Sequence, residues 1–314
     1  MIDFISNRRI FFIISIVVIA AGLLAAIING FQWDIQFEGG TILSIVMPDD
    51  TFEPNDIESR LRDEFNKSIV AQKAQTYNPD DEAGSINLLT LRVSKNETLT
   101  DAELNKAYEI LRTEFNVSEN AESQVQSVEP FIGVEMRNKA ILAIIISLLL
   151  ITVYVWLRYS KINGLAAAVF AIVALIHDVL VMIGVYALFK IPINESFVAA
   201  ILTIIGYSVN DTIIIYDRIR ENSGKKYKGD LKELANKSLN QSLSRSINTS
   251  LTTIMCVTVV YVFAAINNIA SLKEFTLPLI IGLISGTYST LFTAIPLWHM
   301  WQERKAYKTA KSKA

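Results

Sequence analysis

Six long apolar stretches dominate the sequence, near residues 10–29, 138–157, 164–189, 196–216, 247–267 and 275–300. A bilayer core about 30 Å thick is crossed by roughly 20 mostly apolar helical residues, so each stretch fits one crossing. Within lipid the backbone must satisfy its own hydrogen bonds, which makes a helix the form these segments take. Composition agrees, with 51% of residues apolar and 19% charged, against about 25% charged in soluble domains. The first stretch follows Arg8-Arg9 as a secretory signal would. Its apolar run exceeds the usual length of about 7–15 residues and ends in Ile27-Ile28-Asn29-Gly30 without a small-residue cleavage motif, so it is expected to remain as an anchor.

Lysine and arginine in short loops resist translocation and so report orientation. Arg8-Arg9 precede the first span, Arg158 and Lys161 join the second to the third, seven basic residues lie in 217–238, and Arg304, Lys305, Lys308, Lys311 and Lys313 follow the sixth. These four regions are expected in the cytoplasm, together with both termini. The opposite side receives residues 31–136 and two short connections at 190–195 and 267–274, each with a single lysine. Arg137 and Lys139 are exceptions that a snorkelling side chain accommodates.

Residues 31–136 carry 21 Asp and Glu against 8 Lys and Arg, and their apolar residues recur at shorter periods than in the spans. Strands are expected over 41–47, 69–77, 85–93 and 124–132, with helices over 54–66 and 102–115. Pro54 suits a first helical turn, Asn78-Pro79-Asp80-Asp81 reads as a turn, and Thr100 with Glu103 has capping-box spacing. The order β-α-β-β-α-β predicts a ferredoxin-like module. The expected fold is therefore an α-helical integral membrane protein: a six-helix transmembrane bundle with a small α+β ferredoxin-like extracytoplasmic domain. Residues 1–30 form the cytoplasmic start and first span, 31–136 the outer domain, 137–301 spans two to six with a cytoplasmic loop at 217–238, and 302–314 a basic cytoplasmic tail.

Several functions are disfavoured. No basic domain or recognition motif suits nucleic acid. Cys256 stands alone, and two separated histidines complete no metal cluster; no cofactor motif is present either. The outer module has neither histidine nor cysteine, so its carboxylates read as a solvated face or as a surface for basic or extended chains.

Ionisable groups at membrane depth are costly and mark function by default. Asp211 lies in the fourth span among Ser208, Asn210 and Thr212, and the fifth begins with Arg245, Asn248 and Thr249. Asp211 and Arg245 each fall six residues inside the expected inner boundary, about 9 Å at 1.5 Å per residue, so antiparallel neighbours are placed to pair them. Such a pair either serves an ion or proton path or only holds two helices together. Asp178, beside His177 in the third span, ranks second, because adjacent helical residues point about 100° apart and one of the two is expected to face inward. Gly282 and Gly286 have the GxxxG spacing of close helix packing, a weak signal alone.

The run Gly206-Tyr207-Ser208-Val209-Asn210-Asp211-Thr212, with Tyr216-Asp217-Arg218-Ile219-Arg220-Glu221, resembles a signature of the SecD/SecF family of the resistance-nodulation-division superfamily. Ser238-Leu239-Asn240-Gln241, Ser244-Arg245-Ser246-Ile247-Asn248-Thr249-Ser250-Leu251-Thr252-Thr253, His177-Asp178-Val179 and Gly286-Thr287-Tyr288-Ser289 are similar to its other span motifs. After the first span the family pattern Asp-Phe-x-Gly-Gly-Thr is altered, Gln36 replacing the acid.

The resemblance implies a SecF-type subunit of the bacterial cytoplasmic membrane that uses the proton gradient to assist late protein export. It implies SecD, the SecYEG channel and a translocating polypeptide as partners, with membrane lipid around the bundle. It also gives Asp211 and Arg245 a proton-transfer role. Two other classes are a proton-driven small-molecule exporter of the same superfamily and an intramembrane aspartyl hydrolase using Asp178 and Asp211. The hydrolase requires the two acids to meet.

Overall fold

The computed structural model describes residues 2–48, 51–77, 85–93, 97–118, 121–224 and 230–311. Six helical segments in it are long and apolar enough to cross a membrane: Arg8–Asn29, Pro130–Arg158, Gly164–Phe189, Glu195–Gly224, Leu231–Ile266 and Ala270–Lys308. The first is α1. The next four are α5, α6, α7 and α8, and the sixth is built from α9 (Ala270–Ser289), a π-helical turn (Thr290–Ala294) and α10 (Ile295–Lys311). A short 3-10 turn, Ser160–Ile162, links α5 to α6.

Between α1 and α5 the chain forms α2 (Ile35–Glu38), β1 (Gly40–Val46), α3 (Pro54–Phe65), β2 (Ile69–Tyr77), β3 (Ser85–Val93), α4 (Asp101–Glu114) and β4 (Ser123–Val128). The four strands pair antiparallel in the order β2-β3-β1-β4. Period-two alternation buries Leu43 and Ile45 of β1 with Leu89, Leu91 and Val93 of β3. Ile57 and Leu61 of α3, with Ala107, Ile110 and Leu111 of α4, close this core. Thr100 and Glu103 do form a capping box, and the Lys67 ammonium donates to Glu103 at 2.6 and 2.7 Å. The turn expected at 78–81 lies outside the described residues. The last strand ends at Val128 instead of running to 132, because Pro130 opens α5 at a position where its missing N–H costs no helical hydrogen bond.

The outer module is fastened to the bundle at its base. Ile193, in the α6–α7 connection, donates its N–H to Gln32 O and accepts from Asp34 N at 2.8 and 3.0 Å. Gly39, at φ +82°, packs on the start of α5, where an added Cβ would lie 2.5 Å from Pro130 Cα; a side chain there would be strained and would clash as well. At the other end of the bundle, Phe4 and Ile5 are buried, and Asn240 of α8 exchanges hydrogen bonds with both backbone groups of Ile2.

Candidate functional site

Midway along α6, Asp178 is 1% exposed. Its Oδ2 accepts from Ser208 Oγ of α7 and Ser289 Oγ of α9, both at 2.9 Å. Its Oδ1 accepts from Ser285 Oγ at 2.7 Å and lies 3.2 Å from His177 Nδ1. Three helices thus converge on one carboxylate, and each oxygen has two donors when Nδ1 carries the proton, which engages the acceptor capacity of an ionised group. Ser285 and Ser289 share a face of α9 because they are four residues apart. Gly286 between them leaves the space, since a Cβ there would stand 3.2 Å from Ser208 Oγ and 3.5 Å from Asp178 Oδ2. One turn earlier, Gly282 lets α9 close on α7 and α6: its Cβ would come within 2.5 Å of Ile204 Cγ1 and 3.0 Å of Met182 Sδ. The GxxxG pair therefore packs α9 and shapes the site.

A second polar layer follows. Thr212 Oγ1 donates to Ser208 O at 3.1 Å and lies 3.0 Å from Thr290 Oγ1. Thr290 opens the π-helical turn, a local widening frequent at functional sites. His177, like Asp178, is buried, so the expectation that only one of the pair faces inward is corrected. The reason is that α6 packs against α1 and α5 as well as α7 and α9, and is covered on several sides. The His177 ring stacks on Tyr288 at 5.9 Å between centroids, and Tyr288 OH donates to Phe11 O of α1 at 2.7 Å.

Asp211 is also buried, but its Oδ2 has no hydrogen-bond partner among the described residues. The expected pairing with Arg245 is not made: Arg245 is exposed and forms no ion pair among the described residues. Helix phase explains the miss. The buried serines of α8 are Ser238, Ser242, Ser246 and Ser250, spaced by four along one inward stripe. Arg245, one residue before Ser246, points about 100° away. Asn210, Asn248 and Thr249 are exposed as well, so polar groups of α7 and α8 fall into two sets. Ser208, Asp211 and Thr212 of α7 and the four serines of α8 lie inside the bundle with Asp178 of α6; Asn210, Arg245, Asn248 and Thr249 lie on its outer surface. Ser285 and Thr290 were not singled out from sequence, although the spacing of Ser285 and Ser289 about Gly286 was a readable signal.

Fold and site together define a multi-pass membrane protein whose helices enclose a buried carboxylate and whose α+β module stands on the bundle's base. Residues 109–304 match the model of the family described as "Protein export membrane protein SecD/SecF, C-terminal". The chain belongs to the SecD/SecF family. It is 34% identical to a protein translocase subunit SecF of Alicyclobacillus acidocaldarius, covering 98% of this chain and 96% of that one. A protein translocase subunit SecDF of Bacillus subtilis is 30% identical over 98% of this chain, which spans 39% of that longer protein. The crystal structure of SecDF, a translocon-associated membrane protein, from Thermus thermophilus superposes with a TM-score of 0.77 at 28% identity, covering 96% of this chain and 39% of that one. A SecDF crystal structure in the super-membrane-facing form gives 0.68 at 29% identity, covering 100% and 40%.

Proposed function

We propose that this chain is an accessory subunit of the Sec preprotein translocase and uses the proton gradient to assist late steps of protein export across the bacterial cytoplasmic membrane. Its end-to-end likeness to translocase subunits carries this reading, and two buried carboxylates at membrane depth supply the means. Asp178 is held in place by partners from three helices, His177 of α6, Ser208 of α7 and Ser285 and Ser289 of α9. Asp211 has one oxygen, Oδ2, with no hydrogen-bond partner among the described residues, and that oxygen is open to a proton. Asp178 is thus the fixed anchor and Asp211 the exchanging group.

The exposed Arg245, Asn248, Thr249 and Asn210 are costly against lipid. A second six-helix half, SecD, covers them in this reading, and Arg245 approaches Asp211 when that half moves. The outer module, ferredoxin-like in its order of elements and strands, then holds an emerging polypeptide delivered by SecYEG. Its β4 edge carries only uncharged residues, Ser123–Val128, and lacks the charges that usually guard an edge strand. The positive-inside pattern supports a cytoplasmic location of both termini and an external one for this module.

The test measures export of a secreted protein with and without a proton gradient in Asp211→Asn, Asp178→Asn and Arg245→Met backgrounds. Loss of the gradient-dependent component in Asp211→Asn is expected. Full gradient dependence in all three variants would overturn the coupling mechanism.

A further inference from the structure

The two short connections at 190–195 and 267–274 meet through one hydrogen bond. Asn194 Nδ2 donates to Glu274 Oε2 at 2.6 Å, and Asn194 is buried. The same side chain caps α7, its Oδ1 accepting from Phe197 N at 3.0 Å. One residue earlier, the backbone of Ile193 holds Gln32 and Asp34 at the foot of the outer module. The connection therefore gathers α7, α9 and the module at one point. Both helices meet again at Asp178, through Ser208 of α7 and Ser285 and Ser289 of α9.

Glu274 and Ser285 stand about 16 Å apart along α9, at 1.5 Å per residue. Pro278 lies between them, inside the helix. Having no N–H, it leaves Glu274 O without its helical partner, and helices bend at such a point. Ile269 at the N-cap supplies no side-chain hydrogen bond either. The first turn of α9 is thus weakly held by its own backbone, and the Glu274 side chain fixes where it sits. Glu274 also lies in the field of Lys273 on its own helix and of Asp34 and Arg92 on the module, which stand 3.8 Å apart. Tyr186 of α6 and Tyr261 of α8 line the small cavity beside it.

From this arrangement we infer that Glu274 is a positioning residue: through Asn194 it pins the outer turn of α9 to the connection that carries the module, so that α9 cannot shift at Asp178 without moving the module's foot. Its role rests on the proton-coupled export proposed above, in which Asp178 anchors the same helix. Pro278 lets α9 bend between its two fixed points instead of tearing either one free. A pair that merely braced the outer end would loosen the module's foot when cut and leave coupling intact.

Two measurements test this: hydrogen exchange at the Ile193 and Asp34 amides of the full chain, and export of a secreted protein with and without a proton gradient. Glu274→Met should speed exchange at both amides about three- to tenfold, as expected for one lost hydrogen bond, and lower the gradient-dependent part of export several-fold. Asn194→Asp keeps the acceptor for Phe197 N–H but sets two carboxylates face to face. It should act like Glu274→Met at neutral pH and recover on acidification, when the two share a proton. Asn194→Asp combined with Glu274→Gln reverses the polarity of the pair, the amide now donating to the carboxylate, and should restore both readouts. Unchanged amides in Glu274→Met, or no recovery in the reversed pair, would overturn the tie. Faster amides with gradient-dependent export intact would overturn the positioning role, while the coupling reading still stands on Asp211→Asn. Wild-type export without a gradient-dependent part would sink that reading and the role together.

Discussion

Ser285 Oγ of α9 donates to Asp178 Oδ1 of α6 at 2.7 Å, the shortest of the hydroxyl contacts that gather three helices about one carboxylate. Because the acceptor is buried, removing a donor leaves it poorly matched instead of returning it to water. Ser285→Ala should therefore destabilise the bundle by about 1–2 kcal/mol, the upper range for hydrogen bonds between membrane helices. Unfolding in mixed micelles measures it. In a double-variant cycle with Asp178→Asn, the serine effect should shrink well below its value in the wild-type background.

Glycines separate packing from mere flexibility. Gly22 of α1 and Gly184 of α6 face one another, so that a Cβ on either would lie 2.7 Å from the Cα of the other. Leucine at position 22 must push the helices apart, and Gly22→Leu should cost about 1–3 kcal/mol by overpacking. Gly206 of α7 has no atom within 4 Å of an added Cβ. Gly206→Ala should leave stability unchanged or raise it by up to about 1 kcal/mol through helix propensity. Thermal unfolding of both variants in one detergent checks the contrast.

The spans were legible because length and apolarity alone specify them. The outer module was legible because its strands alternate with period two and its second helix announces itself through Thr100 and Glu103. Reading failed where phase mattered. A count inward from the expected boundary set Arg245 beside Asp211, whereas the four serines of α8 at spacing four mark the face that is buried. The inward direction of Asp178 was hard to read for a different reason: α6 packs on several sides, so its apolar residues show no preferred face. The donors that complete the site come from α9, more than a hundred residues away, and sequence spacing does not encode that contact.

Gln36 supplies an acceptor where the family pattern has an acid. Its Oε1 accepts from the backbone N–H of Glu195, the first residue of α7, at 3.2 Å. An acid would satisfy the same N–H, as capping side chains do. The Phe197 amide is already held by Asn194 Oδ1 at 3.0 Å, so Gln36→Glu should keep the protection of the Glu195 amide alone against hydrogen exchange. Gln36→Ala should lose it, with a cost of about 0.5–1.5 kcal/mol, that of one ordinary hydrogen bond. Equal exchange in both variants would separate Gln36 from α7 capping.

The outer module should carry an acid-labile part of the stability. Partial burial opposes ionisation of Glu103, but the Lys67 ammonium and the Thr100 backbone and hydroxyl donors outweigh it and hold the carboxyl below its ordinary value of 4.5. For a group depressed by folding, the stabilisation is present above the unfolded value and lost as pH falls through the folded one. Thermal stability of the full chain should therefore be flat from neutrality to about pH 5 and decline below about pH 4.5. Other paired carboxylates of the module contribute to that decline, Glu64 among them, lowered by Lys106 and then Arg60. The diagnostic is consequently a difference: Glu103→Gln should start from a lower plateau and show a shallower acid decline than wild type. Lys67→Met should do the same, since it removes the other member of the pair. If both variants keep the wild-type slope, the capping box and its lysine do not govern acid stability.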